Sequence, residues 1–466
     1  MTAALTGGMG TPASSRLRIG VFGRRNAGKS SLVNALAGQE VAVVSDVPGT
    51  TTDPVAKSME ILPLGPVLVV DTAGVDDVGD LGRLRVERTR KVLRQTDLAV
   101  LVLDSTVEPG PEEEELLEEI RAKKVPVVVA LNKIDLVESG LVGGGGNSPG
   151  GGDGRRGGTS SGGDGRTVAA ARWAQARGLR PIPVSAATGQ GLGPLRQAII
   201  ASAPADWEGP PIVEGLLGPG ELAVLVVPVD LEAPKGRLIL PQVQTLRDIL
   251  DHNAAAVVCK ESELSSTLRR LGPSGPNLVV TDSQAFEFVA GVVPPEVPLT
   301  SFSILFARRK GDLRTLAEGA LAADTLRPGD AVLVAEACTH HPIGDDIGRL
   351  KIPRWLQKHV GGPLHFTHSV GGDFPPNLAE YRLVVHCGAC MINRKEMLYR
   401  LSVAQAAGVP VVNYGVLIAH LHGVLDRALR PFGLELTAPK GASPAAPPQR
   451  ASASRAAISA AAESAR

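Results

Sequence analysis

The sequence predicts an α/β protein, with a doubly wound sheet in its first part and two smaller α/β units after it. Three observations carry that expectation. From Leu17 onward, short Val/Leu/Ile runs alternate with segments of helical periodicity, the order of a parallel sheet wound with helices. A proline-containing stretch at residues 204–211 interrupts the alternation, which then resumes. In the last third, two further apolar runs end on cysteines, where open α/β sheets place their ligands. A chain of 466 residues has room for about three such domains.

The 48 basic and 48 acidic side chains balance to zero net charge, which argues against a dominant nucleic-acid surface. Four cysteines, three of them clustered, make a disulfide framework improbable and point to a reducing compartment. No apolar stretch is long enough to span a membrane, and residues 1–16 lack the hydrophobic core of a secretory signal. That leader, small-residue-rich and free of acids, is expected to be disordered, with an organelle transit peptide as the alternative.

Residues 17–22 are the first expected strand, running into Gly23-Arg-Arg-Asn26-Ala27-Gly28-Lys29-Ser30 and then Ser31. This is a complete G-x-x-x-x-G-K-S in strand-loop-helix context. Its backbone amides can wrap phosphates, Lys29 can reach the β and γ groups, and Ser30 can bind Mg²⁺. Residues 67–70 form a strand ending in Asp71-Thr-Ala-Gly74, an acid placed for the Mg²⁺ shell and a glycine amide able to sense a γ-phosphate. Residues 125–131 end in Asn132-Lys133-Ile-Asp135, whose Asp135 carboxylate can accept from both N1 and the 2-amino group of guanine. Adenine offers no such pair. Residues 181–184 end in Ser185-Ala186, placed for a backbone contact to the base. The Gly/Ser/Asp/Arg stretch 143–165 has nothing to bury and is expected to be a disordered insert.

Those four elements in this order resemble the small GTPases, which implies GTP with Mg²⁺. Two departures bear on mechanism. Position 75 is Val where Ras-like enzymes carry the glutamine that orients water. Asn26, with Gly49-Thr50-Thr51-Thr52-Asp53, resembles the TrmE/Era branch, some of whose members hold K⁺ near the phosphates. A cation there would stabilise transition-state charge. The same resemblance makes Thr51 the switch threonine on Mg²⁺ and sets Lys29, Asn26 and Thr51 as the catalytic group. Asn26 is also readable as a loop cap on its own backbone.

The middle unit has strand-like runs at 222–229, 255–258 and 278–281, a helical run at 245–252, and no catalytic spacing. Cys259, alone at a strand end, reads as a packed thiol. In the third unit the run from Ala331 reaches Glu336, Cys338 and His340, and the run from Tyr381 reaches His386, Cys387 and Cys390. The C-x-x-C at a strand-to-helix turn can aim two thiolates at one centre, with helix-start amides stabilising the charge, and Cys338 supplies a third. A Cys3His zinc site completed by His340 or His386, a three-cysteine iron-sulfur cubane with one open iron, and a metal-free redox pair all fit the spacing. Residues 409–413 form a further strand. His420 and His422 on the next helix read as partly exposed helix residues. Residues 435–466 are Ala/Pro/Ser-rich and expected to be disordered.

A potassium-type GTPase domain followed by C-x-H and then H-C-x-x-C, with Pro234-Lys-Gly-Arg-Leu-Ile-Leu-Pro-Gln-Val-Gln-Thr245 between them, is similar to the HydF family, the maturation GTPases of [FeFe]-hydrogenase. The resemblance spans residues 17–432. It implies a GTPase domain over 17–204, a dimerisation domain over 212–311 and a cluster-binding domain over 312–434. Carried over, Cys338, Cys387 and Cys390 hold a [4Fe-4S] cluster, with His340 and His386 beside it and Glu336 able to serve as a labile fourth ligand. It further implies a homodimeric or larger scaffold that receives a diiron precursor made with radical-SAM maturases and delivers it to apo-hydrogenase. The expected location is the cytoplasm, or an organelle stroma if the source is a eukaryotic alga. The rival reading is a ribosome-assembly or tRNA-modifying GTPase with structural zinc, which would need a basic RNA-binding module.

Overall fold

A computed structural model describes residues 11–38, 56–72, 88–137, 162–228, 238–337, 346–371 and 374–436, and their strands gather into three sheets. The first contains β1 Leu17–Phe22, β2 Ala56–Ile61, β3 Gly65–Asp71, β4 Leu98–Asp104, β5 Val127–Asn132 and β6 Pro181–Pro183, in the order β2-β3-β1-β4-β5-β6. Neighbours pair in parallel except β2 with β3. The buried run of β4 is continuously apolar because helices cover both faces of a parallel strand.

The second sheet orders β7 Leu222–Val226, β8 Ala255–Cys259, β9 Leu278–Thr281 and β10 Leu299–Ser301 as β10-β9-β7-β8, all parallel. The third orders β11 Ala331–Glu336, β12 His365–Val370, β13 Leu383–His386 and β14 Val411–Asn413 as β12-β11-β13-β14, again all parallel. From β11 the chain steps outward to β12, then returns to the other side of β11 to lay down β13 and β14. That reversal opens a crevice beyond the carboxyl ends of β11 and β13, where Ala335 pairs with His386.

Apolar residues of the second and third sheets belong to one core. The helix Phe302–Lys310 joins them, packing on the helices Leu240–Asp251, Arg394–Ala406 and Tyr414–Leu421. It buries Phe302, Ile304, Leu305, Phe306 and Ala307 and ends on a buried lysine, the pattern of a helix enclosed on most of its faces. The glycine at 319 lets the helix Leu313–Leu321 lie against β14, since a Cβ there would stand 1.9 Å from the Val411 carbonyl oxygen.

Three expectations change. The turn Ala13–Ser15 is ordered where the leader was expected to have no structure, because Ser14 is small enough to be buried and its hydroxyl donates to the Cys390 carbonyl at 2.5 Å. The helix Gly162–Ala176 begins inside the expected insert, and the rest of 143–165 lies outside the described residues, as do 437–466 of the tail. β7 stops at Val226 rather than 229, and the helix expected over 245–252 starts earlier, at Leu240, with a proline in its first turn.

Candidate nucleotide site and cysteine centre

At the carboxyl end of β1 the loop from Gly23 turns into the helix Lys29–Gly38. Gly28 takes φ +90°, and a Cβ on it would stand 2.2 Å from Asn132 Nδ2. Only glycine allows this approach. It matters because Asn132, fully enclosed at the end of β5, donates through Nδ2 to the Ala27 carbonyl at 2.9 Å and accepts at Oδ1 from the Ala186 amide at 3.0 Å. One side chain thus clasps the phosphate loop to the Ser185-Ala186 loop. Lys133, in the left-handed region, places its ammonium 2.7 Å from Asp104 Oδ2, and the buried Ser185 hydroxyl accepts from the Thr188 amide. Gly23, Asn26, Ala27, Gly28, Lys29, Ser30 and Ser31 therefore share one loop and helix start, beside the loops of Asn132, Lys133, Asp135, Ser185 and Ala186.

The buried Lys29 ammonium donates to the Gly23 and Arg24 carbonyls at 3.0 and 2.8 Å, curled over the loop it would share with phosphates. Ser30 donates its hydroxyl to Asp71 Oδ2. Burial pushes the Asp71 carboxyl above the ordinary range, against that hydrogen bond and the charge of Lys29. Asp71 Oδ1 is buried with no hydrogen-bond partner among the described residues. A half-buried carboxylate with one oxygen enclosed and unpartnered among the described residues, next to a serine hydroxyl, is a donor set that fits Mg²⁺ and its water shell. Asn26 stands exposed at φ +60°, a conformation asparagine tolerates. Thr51, Gly74 and Val75 lie outside the described residues.

The cysteines sit at the crevice of the third sheet. Cys387 follows β13 directly, and its amide donates to the Ala335 carbonyl of β11 at 2.9 Å. The Ala337 amide, one residue before Cys338, donates to Cys387 Sγ at 3.2 Å. Cys338 and His340 themselves lie outside the described residues. Ala389 takes φ +55°, so the chain turns sharply between the two thiols before the helix Arg394–Ala406. Burial pushes both thiols up, while the Ala337 and Ala389 amides draw Cys387 back. Hydrogen bonds to sulfur are among the devices that tune an iron-sulfur centre. Nearby, the buried Tyr414 hydroxyl has no hydrogen-bond partner among the described residues, and a Cβ on Gly348 would stand 2.1 Å from it and 3.2 Å from Glu336 Oε1. Two thiols, amides aimed at sulfur, a buried carboxylate and an unpartnered hydroxyl at one switch point fit a metal cluster.

Two further expected ligands, His386 and Glu336, are buried beside this loop. His386 is fully buried with both ring nitrogens engaged: Nδ1 lies 2.8 Å from the Cys387 carbonyl oxygen and Nε2 3.2 Å from the Arg400 guanidinium. Burial pushes it down to about 4, so it is a neutral ring donating from Nδ1 and accepting at Nε2. In this arrangement its Nδ1 side faces the cysteine loop and its Nε2 side faces Arg400. Glu336, also buried, faces Arg349 at 3.6 Å.

Sequence reasoning missed Lys310. Its buried ammonium, at the end of the helix Phe302–Lys310, donates to the carbonyls of Ala389, Cys390 and Ile392 at 2.9, 3.2 and 3.0 Å and lies 3.3 Å from Ser14 Oγ. Burial pulls it down to about 8, against the attraction of Cys390. Just beyond the loop, Asn393 donates to the Gln95 carbonyl at 2.8 Å and Lys395 to the Thr96 carbonyl at 2.9 Å. Residues of all three units thus meet on the C-x-x-C loop. No motif marks a lone lysine, and only the fold brings it there.

A phosphate loop, an acid beside its serine and an asparagine clasping the base-side loop define a P-loop GTPase domain joined to two further α/β units. Residues 18–133 match the 50S ribosome-binding GTPase model, residues 212–311 the hydrogen maturase F dimerization domain, and residues 314–431 the hydrogen maturase F tetramerization domain. The chain belongs to the hydrogen maturase F family of hydrogenase-maturation GTPases, with a TrmE/Era-like GTPase domain and two self-association domains. Among curated proteins it is similar to GTPase Der of Wolinella succinogenes (44% identical over 127 residues, 27% of each chain) and to tRNA modification GTPase MnmE of Herminiimonas arsenicoxydans (43% over 124 residues, 26% of each). It spans about a quarter of the length of these relatives. The G domain of the T. maritima FeoB iron transporter is 21% identical, covering 40% of this chain and 98% of that one at a TM-score of 0.27. Among the described residues no helix is long and apolar enough to cross a membrane.

Lys29→Ala removes the one ammonium in the phosphate loop, so GTP turnover is expected to fall by roughly 10²–10³-fold. Phosphate release checks this, and turnover within a few-fold of the unmutated protein would contradict the site.

Proposed function

We propose that this chain is a GTP-hydrolysing scaffold that holds a [4Fe-4S] cluster on Cys338, Cys387 and Cys390, accepts a diiron precursor made with radical-SAM maturases, and delivers it to apo-[FeFe]-hydrogenase. The observation that carries the reading is the placement of Cys387 and Cys390 at the switch point of the third sheet, inside the matched tetramerization domain. The strand before Cys387 is paired on both sides in the third sheet, so the turn carrying Cys387 and Cys390 stands on a hydrogen-bonded frame. Three thiolates leave one iron with a weaker ligand, for which Glu336, His340, His386 or solvent are the candidates. The bound cluster would supply an exchangeable iron position.

On the nucleotide side, Lys29 and the loop amides would hold the β and γ phosphates, Ser30, Thr51 and Asp71 the Mg²⁺ shell, and Asp135 the guanine edge. Asn26 would share K⁺ with the switch backbone and stand in for an arginine finger. GTP turnover would govern partner exchange, and the Asn393–Gln95 and Lys395–Thr96 contacts offer the physical link between the two sites. The scaffold would work as a homodimer or larger assembly in the cytoplasm, or an organelle stroma.

Turnover in K⁺ should exceed that in Na⁺ at equal ionic strength, and identical rates would remove the cation from the mechanism. Cys338→Ser, Cys387→Ser and Cys390→Ser should each lose most of the iron after anaerobic reconstitution, while Glu336→Ala keeps it. The EPR spectrum of the reduced, unmutated protein should change on adding imidazole or cyanide. Zinc in place of iron in anaerobically prepared protein would overturn the scaffold reading.

A further inference from the structure

At the opposite end of the third sheet, three chain segments bring together Asp324, His359 and His420. Asp324 lies in the turn Ala322–Thr325 ahead of β11, His359 in the last turn of the helix Ile352–Val360, and His420 in the last turn of the helix Tyr414–Leu421. These helices run back from the carboxyl ends of β11 and β14 toward the strands' amino ends, so the cluster is about a strand length, roughly 20 Å, from the cysteine crevice. His359 Nε2 and His420 Nε2 lie 2.8 and 2.9 Å from the same oxygen, Asp324 Oδ1, and the three ligand atoms are all within 4.8 Å of one another. The ring centroids are 6.0 Å apart and tilted by 59°, so the two imidazoles converge on the carboxylate rather than stack. His422, two residues on, is engaged instead by Glu287 at 3.1 Å.

Two features favour a cation there. Both imidazoles sit in the last turn of a helix, where the exposed carbonyls carry partial negative charge. The donor set, two neutral nitrogens and one carboxylate oxygen, suits zinc and its neighbours and is poor for Mg²⁺ or Ca²⁺, which take oxygen ligands. Tetrahedral Zn²⁺ with bonds of about 2.1 Å holds its ligand atoms about 3.4 Å apart. The present contacts need to open by only about 0.5 Å to reach that spacing. The side chains are 40%, 31% and 15% exposed, so an ion has access and little backbone must move.

We propose that Asp324, His359 and His420 form a second metal site, which binds Zn²⁺ through His359 Nε2, His420 Nε2 and an Asp324 carboxylate oxygen and leaves a fourth position for water. The ion replaces the two N–H···O hydrogen bonds, each neutral ring binding through Nε2 with its one proton transferred to Nδ1. It ties three segments distant in sequence across the far end of the sheet, away from the cysteines and independent of what they hold.

The test uses Co²⁺ as a spectroscopic probe in the full-length chain carrying Cys338→Ser, Cys387→Ser and Cys390→Ser, and Zn²⁺ analysis of the iron-loaded, unmutated chain. The expected result is about one Co²⁺ per chain with visible d–d absorption, no thiolate charge-transfer band, and displacement by Zn²⁺. His359→Gln and His420→Gln keep an amide hydrogen bond to Asp324, so they should fold, and each should weaken binding by roughly 100-fold or more. Should the triple variant not fold, a rise in the unfolding midpoint of the iron-loaded chain on adding Zn²⁺, lost in His420→Gln, carries the test. No Co²⁺ or Zn²⁺ bound at about 100 µM free metal, or unchanged binding in both histidine variants, would overturn the proposal.

Discussion

The lysine at the end of the helix Phe302–Lys310 holds the arrangement together. A buried ammonium is costly unless every donor finds an acceptor, and here the carbonyls of Ala389, Cys390 and Ile392 supply three. Those same carbonyls belong to the turn that presents Cys387 and Cys390, with Ala389 in a left-handed conformation that few non-glycine residues adopt. The lysine and the turn satisfy each other. Each charge-assisted hydrogen bond contributes about 1.5–3 kcal/mol, enough to hold a strained loop in one geometry. Because the helix is locked between the second and third sheets, the position of the thiols is set by the packing of both.

The same loop is a meeting point. Ser14 reaches it from ahead of β1, and Asn393 and Lys395 reach from it to residues 95 and 96, next to the start of β4. A displacement of β4 relative to the third sheet would have to break these hydrogen bonds or carry the helix Arg394–Ala406 with it. Behind the loop, His386, Arg400 and Glu396 form a buried chain of polar contacts at 3.2 and 3.1 Å that fixes the root of the turn. The cysteine turn is thereby braced on its β13 side.

Much of this was legible in the sequence. The phosphate loop, Asn132-Lys133-Ile-Asp135 and Ser185-Ala186 are local patterns whose chemistry travels with their spacing, and the alternation of apolar runs located β1, β3, β9 and β11 closely. What the sequence hid depends on distance along the chain. Lys310 is 80 residues from Cys390, and Ser14 is 376 residues from it, and neither belongs to a pattern. His386 shows the same dependence on distant partners. Its neighbour Cys387 suggests a ligand, and the buried Arg400, fourteen residues on, faces its Nε2. Asp324, His359 and His420 were invisible for the first reason, each being a single polar residue near an element end until the sheet stacks them.

The central claim is that Lys310 sets the conformation of the cysteine loop, and amide hydrogen exchange across residues 387–393 in Lys310→Met tests it most directly. Removing the ammonium leaves three carbonyls without their donor, so local opening should become easier by more than about 1.4 kcal/mol and exchange should quicken at least tenfold. Exchange in β1 and the helix Lys29–Gly38 should not change. Equal protection of the loop with and without the lysine charge would contradict the account.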